Sequence, residues 1–182
     1  GGNHVLLNGP DGSLVVDTDY VEVSQKLLNL ITEMTGGPPA VAIDTHWHFD
    51  HVGGNQALRR AGACLIAHEN VRSRMAEGSF LAVIDHEQPP AAAAELPDQT
   101  FDSTLTLYHG NETVELFHVP AAHTDGDVMV HFRSANVLHT GDVVFFCGYP
   151  FIDINAGGTI DGMIQAVQTA IGICDEETQV VP

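Results

Sequence analysis

The sequence predicts a mixed α/β domain with its chemistry at strand ends. Three observations carry that reading. Short apolar runs alternate with helical periodicities over residues 4–77, strand-length runs separated by turn formers fill residues 104–140, and a helical stretch followed by one more strand ends the sequence. At 182 residues, 44% apolar and 16% charged, the chain can bury a core of its own and reads as one domain.

Taken in order, residues 4–7 and 13–17 flank "NGPDG" and predict a β-hairpin. Leu27, Leu30, Ile31 and Met34 fall on one helical face, with Asp19 placed to cap the start and Gly36-Gly37-Pro38-Pro39 to stop it. Residues 40–44 form a strand running into a histidine cluster. A short helix over Gln56–Arg60, a buried strand over Cys64–Ala67 and a helix over Asn70–Glu77 complete the alternating half. From Gly78 to Thr100 the prolines and alanines give no period, which predicts a loop or a covering flap. Strands are expected at 104–108, 113–119, 127–132 and 136–140. Ile160, Ile164, Val167 and Ile171 then mark one face of a helix ending at Gly172, and "TQVVP" begins a last strand.

Charge narrows the partners. Twenty-four acidic residues against six basic ones give a net charge of −18, which repels a phosphate backbone, so a nucleic-acid substrate is not expected. No apolar run reaches the roughly 18 residues a membrane span needs. Cys64, Cys147 and Cys174 form no C-x-x-C pair, and Cys147 reads as a small, partly buried hydrophobe.

The chemistry concentrates in "DTHWHFDHVGGN", residues 44–55. His46, His48, Asp50 and His51 form H-x-H-x-D-H; with 11 His and 14 Asp in the chain, chance gives on the order of 0.003 such patterns. Imidazole and carboxylate suit zinc and related first-row metals, whereas magnesium and calcium want oxygen alone. Adjacent Asp50 and His51 point away from His46 and His48, so two ions suit the loop better than one, with further donors supplied by "PAAHTDGD" (His123) and "VLHTGD" (Asp142).

These residues resemble the metallo-β-lactamase-fold superfamily of metal-dependent hydrolases, and "GPDGSLVVDT" and "HTGD" fall in the same order. The resemblance implies an αββα sandwich of two facing sheets with helices outside and metals at one edge. It implies two zinc ions, with iron an alternative: His46, His48 and His123 on the first, Asp50 and His51 on the second, Asp142 bridging. The family continues into a final histidine in a "PGH" context, so residues 1–182 are expected to be one domain extending past Pro182. Asp17 and Thr18, in the family's "DT" context, would orient ligands from behind. Tyr149, Phe151 and Asp153 would shape a substrate pocket, with Trp47 and Phe49 walling the site.

The implied activity is hydrolysis of a small ester, thioester, lactone or amide by a hydroxide shared between the ions, with Asp50 orienting it and passing on a proton. Asp142 resembles thioesterase-like and lactonase-like members more than β-lactamases proper, which remain an alternative. A mono-iron sulfur dioxygenase and a non-catalytic metal-binding protein are the others; His48 argues against the diiron, flavin-linked branch, which has glutamate there. Family analogy leans to a bacterial periplasmic or secreted setting, and nothing in these residues sets the oligomeric state.

Overall fold

The structure, a computed structural model, describes residues 2–81, 84–146 and 148–182; Cys147 lies outside them. The hairpin forms as β1 (Val5–Gly9) and β2 (Gly12–Val16), followed by α1 (Ser24–Thr35), β3 (Pro39–Ile43), α2 (Phe49–Val52), α3 (Asn55–Arg60), β4 (Cys64–His68) and α4 (Glu69–Glu77). Then come β5 (Ser79–Leu81), β6 (His86–Gln88), β7 (Gln99–Phe101), β8 (Thr104–His109), β9 (Glu112–His118), β10 (Val128–Phe132), β11 (Val137–His139), α5 (Ile160–Ile173) and β12 (Gln179–Val181). One sheet runs β1-β2-β3-β4-β7, the other β12-β11-β10-β9-β8, with β5-β6 a separate pair.

Strand alternation assigns the layers, because successive side chains point to opposite faces. Leu14, Val16, Ile43 and Ile66 of the first sheet meet Val114, Leu116, Val128, Val130 and Phe132 of the second. The intervening Val15, Ala42 and Leu65 face outward onto Ile31 of α1 and Leu58 of α3. Met129 and Leu138 face outward onto Met163, Ala166 and Ala170 of α5. The result is the four-layer αββα sandwich.

Four expectations need correction. Asp19 does not cap α1: a 3-10 turn, Val21–Val23, precedes the helix, and the Asp19 carboxylate accepts from Tyr20 N (2.8 Å) and meets His4. The buried stripe of α1 is Leu27, Leu28 and Ile31, whereas Leu30 and Met34 are exposed, because the helix turns to meet Val15 and Ala42. On α5 the isoleucines Ile160, Ile164 and Ile171 are exposed, and the small residues face the protein. A Cβ on Gly162 would lie 1.8 Å from Ala121 O, so close approach to the 121–123 loop dictates the phase of α5. Finally, residues 78–100 contain the β5–β6 hairpin and β7, which extends the first sheet beside β4; three-residue strands are too short to show a period. No helix among the described residues is long and apolar enough to cross a membrane.

Candidate metal centre

The H-x-H-x-D-H stretch leaves β3 and crosses to the second sheet, where Thr45 O accepts from Val128 N (2.8 Å). Asp17, at the end of β2 with φ 63°, pins it from behind. Its carboxylate accepts from Thr45 N (2.8 Å), Thr45 Oγ1 (2.9 Å) and His51 Nδ1 (2.7 Å). Burial alone would raise this carboxyl, but the His51 charge and these hydrogen bonds hold it below its ordinary value. Thr18 N donates to His51 O (2.7 Å), and a Cβ on Gly54 would lie 2.2 Å from Thr18 O, which explains the glycine pair after the cluster.

The first donor set is His46, His48 and His123, all buried. Their outer nitrogens face acceptors, which assigns the tautomers. His46 Nδ1 donates to Thr45 Oγ1 (3.1 Å), whose own proton goes to Asp17. His48 Nε2 donates to Asp153 Oδ2 (3.0 Å), and His123 Nδ1 to Phe151 O (2.8 Å). The inner nitrogens therefore carry lone pairs, and these converge: His46 Nε2 and His48 Nδ1 are 3.1 Å apart, His123 Nε2 and His46 Nε2 3.2 Å, His123 Nε2 and His48 Nδ1 2.9 Å. Nitrogens about 2.0–2.1 Å from a tetrahedral ion lie about 3.3 Å apart, so the triangle fits such an ion. A proton is a poor substitute: burial and neighbouring imidazoles push His46 well below its ordinary value, and burial lowers His123.

The second set is His46, His51 and Asp142, so it shares His46 with the first, and Asp50 stands beside His51. His51 Nε2 is buried without a hydrogen-bond partner, because Nδ1 is committed to Asp17. It lies 3.2 Å from Asp142 Oδ1, off the line of a hydrogen bond, and 3.6 Å from Asp50 Oδ2. The other Asp142 oxygen is 3.8 Å from His123 Nε2, so one carboxylate faces both sets. Burial disfavours charge on His51, but Asp17 and Asp142 outweigh it and raise its pKa well above the ordinary value. Burial likewise opposes ionisation of Asp142, yet His51 and His123 bring it down to about 2. The bare inner nitrogens of the first set and the Asp142 carboxylate form a pocket of negative potential that a divalent ion suits, and such an ion would take the place of the proton that Asp17 and Asp142 favour on His51. The imidazoles are sealed, whereas the Asp50 and Asp142 side chains are about a quarter exposed, so the site opens on their side.

The structure therefore brings together all six residues expected as ligands. The predicted pocket residues separate. Tyr149 is fully exposed; Phe151 stands 5.5 Å from the His123 ring and 6.1 Å from His48; Asp153 is buried and holds His48 rather than lining a pocket. Trp47 is fully buried, 4.9 Å from His48. Sequence reasoning missed Thr45 and Asp127. Asp127 accepts from His123 N (2.7 Å) and Thr124 N, fastening the His123 loop, and burial raises it to about 6. The short "HTDGD" turn was the available signal. Most of the other histidines are held by packing: His68 stacks on His118 at 4.0 Å, His109 meets Gly12 O and His139 meets Asn3 O.

The chain resembles proteins of named activity. It is 28% identical over 146 residues to the hydroxyacylglutathione hydrolase of Mesorhizobium japonicum, covering 79% of this chain and 48% of that protein. It is 26% identical over 160 residues to the human acyl-coenzyme A thioesterase MBLAC2, covering 77% and 57%. The chain thus spans about half the length of the curated relatives it matches. A metallo-beta-lactamase from Pontibacter korlensis superposes with a TM-score of 0.79 over 100% of this chain and 78% of that one, at 23% identity. A family profile described as the Metallo-beta-lactamase superfamily matches residues 1–175, and the chain belongs to that superfamily.

Proposed function

We propose that this chain carries the metal centre of a hydrolase that cleaves a small thioester or related ester with two divalent ions, zinc being the first choice. The observation that carries the reading is the pair of adjacent donor sets, His46, His48 and His123 beside His46, His51 and Asp142, with the two Asp142 oxygens turned to His51 and His123. The names of the relatives, a hydroxyacylglutathione hydrolase and an acyl-coenzyme A thioesterase, favour thioesters over β-lactams.

His46, His48 and His123 would hold one ion, and His51, Asp50 and Asp142 the other. Such ions supply an acidified water and polarise an acyl oxygen. The protein's own part is positioning and proton handling. Thr45, Asp153 and the Phe151 carbonyl fix the tautomers of His46, His48 and His123, so each of these rings presents a lone pair inward, and Asp17 holds His51 Nδ1 so that Nε2 faces the second ion once its proton is released. Asp50 stands at the open side of the site, 3.6 Å from His51, where its carboxylate can take a proton from water and return it to the departing thiolate.

The test is turnover of a thioester, an oxygen ester, a lactone and a β-lactam by protein loaded with zinc and, separately, with iron(II). Thioester cleavage by the zinc form, lost in Asp50→Asn, is expected. Oxygen consumption by the iron form on a persulfide, without hydrolysis by the zinc form, would favour the dioxygenase reading.

A further inference from the structure

Two of the three acceptors that orient the first donor set, the Phe151 carbonyl and the Asp153 carboxylate, belong to one stretch, 151–156, which lies outside every strand and α-helix. Two backbone bonds join this stretch to the loop bearing His123. Asp153 N donates to His123 O (2.8 Å), and Asp125 N donates to Ala156 O (2.9 Å). Loop and stretch thus form one unit, and that unit carries His123 together with the group that holds His48.

Asp125 fastens the unit to α4. Its carboxylate accepts two 2.6 Å bonds from Arg74, one from Nε and one from Nη2, and its carbonyl accepts from Asn70 Nδ2 (2.8 Å). His118 Nε2, at the end of β9, donates to the same carbonyl (3.0 Å). Ala156 packs in one cluster with Val71 and Met75 of α4 and with Trp47, the residue between two ligands. About a quarter of the ion pair is exposed, and a pair so placed contributes little unless its geometry is bidentate, as it is here. The second donor set hangs from other elements. Asp17, at the end of β2, grips His51, and His139 Nδ1 accepts from Gly141 N (3.1 Å) beside Asp142.

We propose that Arg74 and Asp125 are positioning residues for the first metal ion: gripping each other, they keep His123 and, through Asp153, His48 at the separations a tetrahedral ion needs, and they leave the second ion unaffected. This rests on the metal-centre reading above and extends it outward from the ligands. With the grip removed, binding the ion must also order the loop, and that cost appears as weaker affinity.

Zinc affinity, measured by competition with a chromophoric chelator, tests the proposal in two backgrounds. Asp142→Ala keeps the first set whole, and His48→Ala keeps the second. Arg74→Ala is expected to weaken zinc binding about tenfold in the first background, the lower end of what losing a group behind a metal-bound histidine costs, and by less than about twofold in the second. Arg74→Lys keeps the charge without the planar fork and should recover part of the loss. Arg72, also on α4, donates to Pro97 O instead, so Arg72→Ala is expected to change neither affinity. A loss in Arg74→Ala that is absent in the first background, equal in both, or matched by Arg72→Ala overturns the proposal. Asp125→Asn, which keeps the backbone bonds of Asp125, answers the same question if Arg74→Ala does not fold. No zinc binding by Asp142→Ala with Arg74 intact defeats the metal-centre reading and the proposal with it.

Discussion

Asp153 and His48 stand 105 residues apart in sequence and 3.0 Å apart in space. That pairing marks the boundary of what single residues reveal. The H-x-H-x-D-H ligands were legible because they share one loop, and His123 and Asp142 because their short contexts are distinctive. The groups orienting them were not, since Thr45, Asp127 and Asp153 acquire their roles only when β3, the 121–127 loop and the 151–156 segment converge. Metal-bound histidines depend on such partners, so Asp153→Ala is expected to weaken metal binding about 10–100-fold. Chelator competition measures it, and Asp153→Asn, which keeps an acceptor, should recover part of the loss. Unchanged affinity in the alanine variant would remove Asp153 from the centre.

Helix phase was the least legible feature of the elements, because α1 and α5 carry apolar residues on more than one face. Spacing selected Ile160, Ile164, Val167 and Ile171, whereas Gly162, Ala166 and Ala170 allow the closer approach and so face inward. Ile164→Ser should therefore change stability by no more than about 0.5 kcal/mol. Ala166→Leu should cost about 1–3 kcal/mol by overfilling the layer. Urea unfolding distinguishes the two; the reverse order would restore the phase expected from spacing.

The turn between β10 and β11 offers a pH test far from the metal ligands. Glu112 accepts from Ser134 N (2.7 Å), Ala135 N (3.0 Å) and Thr113 N (2.9 Å). Burial opposes its charge, but these bonds prevail and lower its pKa below the ordinary 4.5. A depressed carboxyl contributes stability that is full above its unfolded pKa and is lost as pH falls through the folded value. Glu112→Gln is thus expected to cost about 1–2 kcal/mol at pH 7, with the difference from the parent shrinking below pH ~4. A pH-independent difference would contradict that sign.

At the scale of the whole molecule, alternation of strands and helices established the α/β class without selecting a sandwich. Most inward positions of the two sheets were legible as apolar, the stacked His68 and His118 being exceptions, but that Val114 faces Leu14 rather than solvent depends on one sheet lying over the other. The four layers came from the resemblance carried by the metal motif, so the site identified the fold and not the reverse. The sandwich in turn makes the site possible, since the ends of β2, β3 and β11 and the β9–β10 loop deliver their side chains to one edge.

The central claim is that one Asp142 faces two metal sets. Elemental mass spectrometry of the protein purified without chelator or added metal tests it most directly. The account predicts about two zinc ions per chain, falling to one or fewer in Asp142→Ala. One iron per chain, or no more than one ion of any kind in the parent protein, would contradict it.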